Sequence, residues 1–113
     1  MGQALNMEAL DELRSLMGDA LNEVLQTFVD YVPGQIDELS QAVSNNDANG
    51  VFNLAHKMKS SSSSIGADGL ATLAEQIEMI GRAGTTEGTA ELVDQMKLLF
   101  SDAETILREE LDK

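Results

Sequence analysis

The chain has 113 residues, of which 42% are hydrophobic and 4% aromatic, and its formal net charge is −13. This length predicts one domain over residues 1–113, and the acidity argues against binding nucleic acid or an anionic membrane surface. The absence of cysteine excludes disulfides and thiolate chemistry, and with no membrane-length apolar run and no signal peptide we expect a cytoplasmic protein.

Helical periodicity runs along nearly the whole chain. Apolar residues recur three and four positions apart, and the scarcity of β-branched runs favours helix over sheet. Polar turns rich in glycine, asparagine or aspartate separate the periodic segments. In chain order, the predicted helices cover residues 6–17, 19–44, 47–64, 68–81 and 88–111.

The residues at the helix ends support this division. Asn6, Asp19 and Asp47 stand where the side chain of an N-cap residue would accept a hydrogen bond from the first helical turn. Pro33 lies inside the second periodic segment and predicts a kink or a restart of that helix. Gly66 follows the third helix and can close it in a left-handed conformation.

The pattern also predicts how the helices pack. Each long segment has one apolar stripe, and the connections between segments are short. Short connections make consecutive helices antiparallel neighbours. We therefore predict an all-α fold, an antiparallel up-down-up-down four-helix bundle with a short extra N-terminal helix.

The only histidine, His56, falls in the third predicted helix on the side opposite its apolar stripe. Lys59, Ser60 and Ser63 share or flank the histidine face, and Phe52 lies one turn earlier on the same outward side. A core histidine is therefore disfavoured, and the imidazole is predicted to face solvent. The apolar stripe of this helix consists of Val51, Leu54, Ala55, Met58, Ser62 and Ile65.

A lone exposed histidine is most often an ordinary surface residue, and two chemical alternatives are weak. A metal site is disfavoured because Phe52, Asn53, Lys59 and Ser60 occupy the positions from which a second ligand would reach the metal. A hydrolytic pair of Ser60 and His56 is disfavoured because this helix has no carboxylate to orient the ring.

The surroundings of His56 suit a negatively charged ligand. Residues 48–67 contain no aspartate or glutamate, although the chain has 20 acidic residues, and they hold two of its seven basic residues. Five consecutive serines follow in the same window, and Ser62 and Ile65 keep the helical phase through them. Such small side chains would let another protein, or a phosphoryl group, come close to the imidazole.

The segment AHKMKSSSSSIGADGLATLAEQIE, residues 55–78, resembles the histidine phosphotransfer (HPt) domains of phosphorelays. The histidine, the lysine three positions later and the small residues after it match the family's pattern. The segment TFVDYVPGQIDELSQAVSNND, residues 27–47, is similar to the proline-containing helix that precedes the motif in that family. The family usually has glycine directly after the lysine, where this chain has Ser60.

The resemblance implies roles for individual residues. His56 corresponds to the phospho-accepting histidine, Lys59 to the phosphate-facing lysine and Gly66 to the closing glycine. Glu75 and Glu78 lie near the family's acidic or amide position, and either could orient the His56 ring by accepting its second N–H. The expected partner-contact face consists of Phe52, Lys59, Ser60 and Ser63.

The resemblance also implies a function. The chain is expected to accept a phosphoryl group from a receiver-domain aspartate and pass it to another receiver, in a relay that includes a hybrid sensor histidine kinase. It is expected to be a monomeric phosphocarrier rather than an enzyme, without a cofactor or metal of its own, because the partner receiver supplies Mg²⁺. The alternative is a non-catalytic helical adaptor that binds receiver or kinase domains without phosphotransfer.

Overall fold

The computed structural model describes residues 4–112, and this part of the chain contains α-helices and no β-strands. Each predicted helix is present, and each of its ends lies within one residue of the predicted end. The all-α class is therefore confirmed. The helices are α1 (Met7–Met17), α2 (Ala20–Ser44), α3 (Ala48–Ser64), α4 (Asp68–Arg82) and α5 (Thr89–Leu111).

Side-chain caps start two of the helices as predicted. The Asn6 side chain accepts a hydrogen bond from the Ala9 N–H at 3.1 Å, and the Asp47 side chain accepts one from the Gly50 N–H at 2.9 Å. The predicted cap at Asp19 is wrong, because its side chain makes no capping hydrogen bond. Its backbone already has helical angles, φ −67° and ψ −20°, whereas a capping residue is usually extended.

Gly66 closes helix α3 in a left-handed conformation, as predicted. The Ala67 N–H donates to the Ser62 carbonyl at 2.9 Å and the Gly66 N–H donates to the Ser63 carbonyl at 3.2 Å, the paired pattern of a left-handed helix end. Gly66 has a φ of 79°, which favours glycine. Its carbonyl also accepts from the Asn6 N–H at 2.7 Å, so the start of α1 is tied to the end of α3.

Helix α2 continues through Pro33 without a break, so the restart that we considered is wrong. Proline has no N–H, and the Val29 carbonyl therefore lacks its usual helical donor. Val32 and Ile36, on the two sides of Pro33, are both buried in the same core. Their burial keeps the two halves in one helical phase despite the missing hydrogen bond.

One hydrophobic core holds the helices together. α2 packs on α3 and α5, α4 packs on the same two helices, and α1 packs on α2. In residues 4–112, no helix combines the length and hydrophobicity needed to cross a bilayer. The largest fully buried apolar side chains belong to Leu10, Leu21, Leu25, Leu39, Val51, Ile65, Leu70, Ile77, Met96 and Leu107.

The backbones of helices α3 and α4 are in close contact at Gly81. A Cβ atom at this position would lie 2.7 Å from the backbone nitrogen of Phe52 and 2.9 Å from the carbonyl oxygen of Ala48. Such a backbone-to-backbone contact requires glycine. The contact brings the part of α3 that carries His56 next to Glu78, which lies about one turn before Gly81 on α4.

Candidate functional site

His56 lies on the outward side of α3, as the helical phase predicted. Its side chain is 57% exposed, and its Nδ1 atom lies 2.9 Å from Oε2 of Glu78 on α4. Glu75, the other glutamate that the sequence left open, is exposed and borders a depression beside Lys59. Glu78 is therefore the glutamate that holds the imidazole.

The Glu78 carboxylate is buried and is shared by three basic side chains. Lys59 Nζ lies 2.7 Å from its Oε1, and Arg82 Nη2 lies 3.6 Å from the Oε2 that also faces His56. The hydrogen bonds from Lys59 and His56 lower the pKa of Glu78 below its ordinary value, although burial acts in the opposite direction. Glu78 is therefore ionised at neutral pH.

The ionised Glu78 selects one tautomer of the neutral imidazole. A carboxylate has no hydrogen to donate, so His56 Nδ1 carries the hydrogen and donates it to Glu78. The lone pair is then on Nε2, the other ring nitrogen. An imidazole nitrogen with a free lone pair can act as a nucleophile.

Phe52 contacts both the His56 imidazole and the Arg82 guanidinium. Its ring stacks on His56 with 6.2 Å between ring centroids and 19° between ring planes, and the Arg82 guanidinium lies 5.6 Å from its centroid. Phe52 is half-buried rather than fully exposed. The sequence placed it on the outward side, and the Arg82 side chain of the neighbouring helix α4 lies against its ring.

The serine tract forms a ridge of small side chains beside the site. Ser60 and Ser63 are exposed and border the depression next to Lys59, whereas Ser61 and Ser64 border a groove between α3 and α2. The tract is helical throughout. Because the ridge has low relief on both sides, a partner's surface can approach the imidazole closely.

Arg82 is the site residue that the sequence reasoning missed. It lies four residues after Glu78 on the same helix and is one of only seven basic residues in the chain. That spacing was the available signal, since residues four apart share a helix face. Gly66, by contrast, lies at the end of α3 and acts on the backbone rather than at the imidazole.

The described side chains offer no metal centre. In residues 4–112, no three histidine, aspartate or glutamate side chains are placed to hold a metal ion. The absence of a metal or cofactor in the working protein stays a prediction.

The lowered pKa of Glu78 predicts a specific pH dependence of stability. The folded protein holds the Glu78 proton less tightly than the unfolded chain does. The ionised Glu78 therefore stabilises the fold above its ordinary pKa near 4.5, and this stabilisation is lost as the pH falls through the lower pKa of the folded state. We expect Glu78→Gln to lower the free energy of unfolding at neutral pH and to differ less from the parent protein in acid.

Urea unfolding at several pH values checks this prediction. The matched control is Glu75→Gln, which removes an exposed carboxylate from the same helix. A stability difference between Glu78→Gln and the parent protein that stays constant from neutral to strongly acidic pH contradicts the assigned ion pairs.

These features define a class of protein: an all-helical domain with an exposed imidazole, held by a buried carboxylate next to a lysine. The family model described as "Hpt domain" matches residues 23–111. The chain therefore belongs to the Hpt domain family. A comparison with curated protein sequences finds no significant match.

Solved structures of phosphotransfer proteins have the same fold. Histidine-containing phosphotransfer protein B from Pseudomonas aeruginosa PAO1 matches with a TM-score of 0.92 and 27% identity, over 99% of this chain and 97% of that one. The histidine-containing phosphotransfer domain of ArcB from Escherichia coli matches with a TM-score of 0.81 and 23% identity, over 96% and 93% of the two chains. The HPT domain of a sensor hybrid histidine kinase from Shewanella matches with a TM-score of 0.82 and 17% identity, over 96% and 94%.

Proposed function

We propose that this chain is a phosphorelay intermediate that carries a phosphoryl group on Nε2 of His56. It takes the group from the aspartyl phosphate of one receiver domain and passes it to the aspartate of another. The observation that carries this proposal is the exposed imidazole whose Nδ1–H is held by the buried Glu78 carboxylate. Membership of the Hpt domain family supports it.

The accepting step needs only an oriented nucleophile on this chain. The Nε2 lone pair of His56 forms the N–P bond, the P–O bond of the acyl phosphate breaks, and the partner's carboxylate leaves with the bonding electrons. Nδ1 keeps its hydrogen, so the phosphorylated ring is a cation that pairs with the Glu78 carboxylate. Lys59 bonds the phosphoryl oxygens as a point charge. The donating step is the reverse, with a second receiver.

The remaining requirements of phosphoryl transfer come from the partner in this proposal. Receiver-bound Mg²⁺ neutralises the phosphoryl charge during transfer, so this chain is a phosphocarrier rather than an enzyme. We further propose that α2 to α5 form an up-down-up-down bundle, for which their short connections argue. The described part of the chain offers its single histidine on one face, which favours a monomer that meets one receiver at a time.

Incubation with a radiolabelled phospho-receiver tests the function. We expect an acid-labile, alkali-stable phosphate to appear on this chain and to move to a second receiver that is added later. Stable binding to the receiver with no label on this chain would instead identify an adaptor and would overturn the proposal.

Lys59 is expected to speed the transfer without being essential for folding. A hydrogen bond from a charged donor is worth about 1.5–3 kcal/mol, so Lys59→Ala should slow transfer roughly 10- to 100-fold. Lys57→Ala is the matched control, because Lys57 is exposed on the same helix. Transfer reactions with one phospho-receiver, stopped at successive times, give the rate of phosphoryl transfer to each variant. Equal rates for Lys59→Ala and Lys57→Ala would remove Lys59 from the site.

A further inference from the structure

We infer that the Ser60 hydroxyl selects among receiver domains, because a receiver that docks on His56 must offer this hydroxyl an uncharged carbonyl oxygen as hydrogen-bond acceptor. The inference rests on the proposed function and names a residue that determines its specificity. A receiver that covers Ser60 with an apolar group is disfavoured, although its phospho-aspartate carries the same chemistry.

Ser60 is exposed, and its hydroxyl has no partner within the described part of the chain. In a helix, a serine hydroxyl commonly donates to a backbone carbonyl three or four residues earlier. Ser61 donates to the Met58 carbonyl at 3.3 Å, and Ser64 donates to the Ser61 carbonyl at 2.8 Å. Within residues 4–112, the Ser60 hydroxyl makes no such bond, so it can donate to and accept from another molecule.

Ser60 lies one helical turn from the imidazole. Residues four apart on a helix are neighbours on one face, with about 5–6 Å between their Cβ atoms. Phe52, four residues before His56, stacks on the ring, and Ser60, four residues after it, is the neighbour toward the end of α3. Nδ1 of the ring is turned toward Glu78 on α4. A receiver therefore reaches the imidazole from the exposed side of α3, where Ser60 lies.

A docked receiver covers Ser60. Transfer brings the phosphorus atom to about 3–3.5 Å from the attacking nitrogen. A small transient interface covers about 600 Å² of each partner, a disc of about 14 Å radius. Ser60 is only about 6 Å along the helix from His56, so its hydroxyl loses water when a receiver binds. A buried hydroxyl that is left without a hydrogen bond weakens a complex by about 5- to 150-fold.

The charges around Ser60 favour an uncharged acceptor on the receiver. Ser60 borders the depression beside Lys59, and Asp68 and Glu75 border the same depression. Lys59 already pairs with Glu78 at 2.7 Å. The carboxylates of Asp68 and Glu75 therefore repel a carboxylate that a receiver would place there. A backbone, asparagine or glutamine carbonyl accepts the same hydrogen bond without this repulsion.

Transfer assays with a panel of phosphorylated receiver domains test the inference. The rate of transfer to this chain from each receiver, at equal concentrations, gives the ratio between the fastest and the slower receivers. Ser60→Ala removes the hydroxyl from an exposed helical position, and alanine is the better helix former. We expect this change to slow transfer from the fastest receiver, to speed transfer from slower ones and to shrink the ratio by at least about fivefold.

Ser64→Ala is the matched control, because Ser64 is an exposed serine of the same tract whose hydroxyl already donates to Ser61. Its ratio should equal that of the parent protein. Ser60→Thr retains a hydroxyl and should keep most of the preference. Labelling of His56 by phosphoramidate, a small phosphoryl donor, should proceed at the parent rate in Ser60→Ala, because no receiver is present to cover the hydroxyl.

The outcomes separate this inference from the relay itself. An unchanged ratio in Ser60→Ala, an equal slowing with every receiver, or a parent protein that treats all receivers alike overturns selection by Ser60 and leaves the relay in place. Slower phosphoramidate labelling of Ser60→Ala would place the hydroxyl at the phosphoryl group and overturns it too. If receivers bind the parent protein without transfer, the relay falls, and the ratio of their dissociation constants decides the role of Ser60 by the same comparison. If none binds, both proposals fall.

Discussion

Replacing His56 with glutamine is expected to abolish the acceptance of phosphate from a receiver. The imidazole Nε2 is the only atom of the site with a lone pair suited to attack phosphorus at neutral pH, and a glutamine amide nitrogen has none. Folding should be retained, because the His56 side chain is 57% exposed and a glutamine can still donate a hydrogen bond to Glu78. The measurement is the label on each protein after incubation with the same phospho-receiver, with thermal unfolding as the control for folding.

The position of the phosphate on the ring is a second readout of the same experiment. Because Glu78 holds the Nδ1–H at 2.9 Å, the parent protein should carry its phosphate on Nε2. Nitrogen NMR of the phosphorylated protein distinguishes the two ring positions. Labelling of His56→Gln at the rate of the parent protein, or phosphate on Nδ1, would contradict the assigned geometry.

Replacing Gly81 with alanine is expected to destabilise the fold by about 1–3 kcal/mol, the usual cost of overpacking. The added Cβ would lie 2.7 Å from Phe52 N and 2.9 Å from Ala48 O, and neither backbone atom can move without displacing α3. Alanine is the better helix former by about 1 kcal/mol, so helix propensity alone predicts the opposite sign. The displacement should also widen the gap between His56 and Glu78 and slow phosphotransfer.

Gly34→Ala is the matched control for this substitution. Gly34 lies inside α2, and a Cβ there would meet nothing within 4 Å. It should raise the stability by about 0.5–1 kcal/mol, because alanine loses less chain entropy on folding. Thermal and urea unfolding of both variants give the comparison. If Gly81→Ala is as stable as Gly34→Ala, then α3 and α4 are not in backbone contact.

Some helix ends could be predicted from the neighbouring residues alone, and others could not. Asn6, Asp47 and Gly66 act as predicted, because a cap or a left-handed turn depends on residues within one turn of it. Asp19 and Pro33 do not. The two-residue link to α1 leaves Asp19 with a helical backbone, and core burial on both sides of Pro33 keeps α2 continuous. In both cases the packing of neighbouring segments overrides a local preference.

The sequence could not decide whether Glu75 or Glu78 contacts His56, because that choice also depends on tertiary packing. The two residues are three positions apart, so they differ by only about 60° around the helix axis. Periodicity places both near the facing helix, and only the rotation of α4 against α3 decides which one meets the imidazole. The close backbone contact at Gly81 is part of the packing between these two helices.

The sequence by itself determined the five helices, the outward direction of His56 and the position of Lys59 one turn later, because helical phase is a property of neighbouring residues. The HPt resemblance added the chemistry expected of them. Only the tertiary structure decided that Glu78 is the buried partner of both side chains, that Phe52 is half covered and that Arg82 joins the site. These relations connect α3 with α4, and the distance and rotation between two helices depend on how their surfaces pack, which the periodicity of neither helix contains.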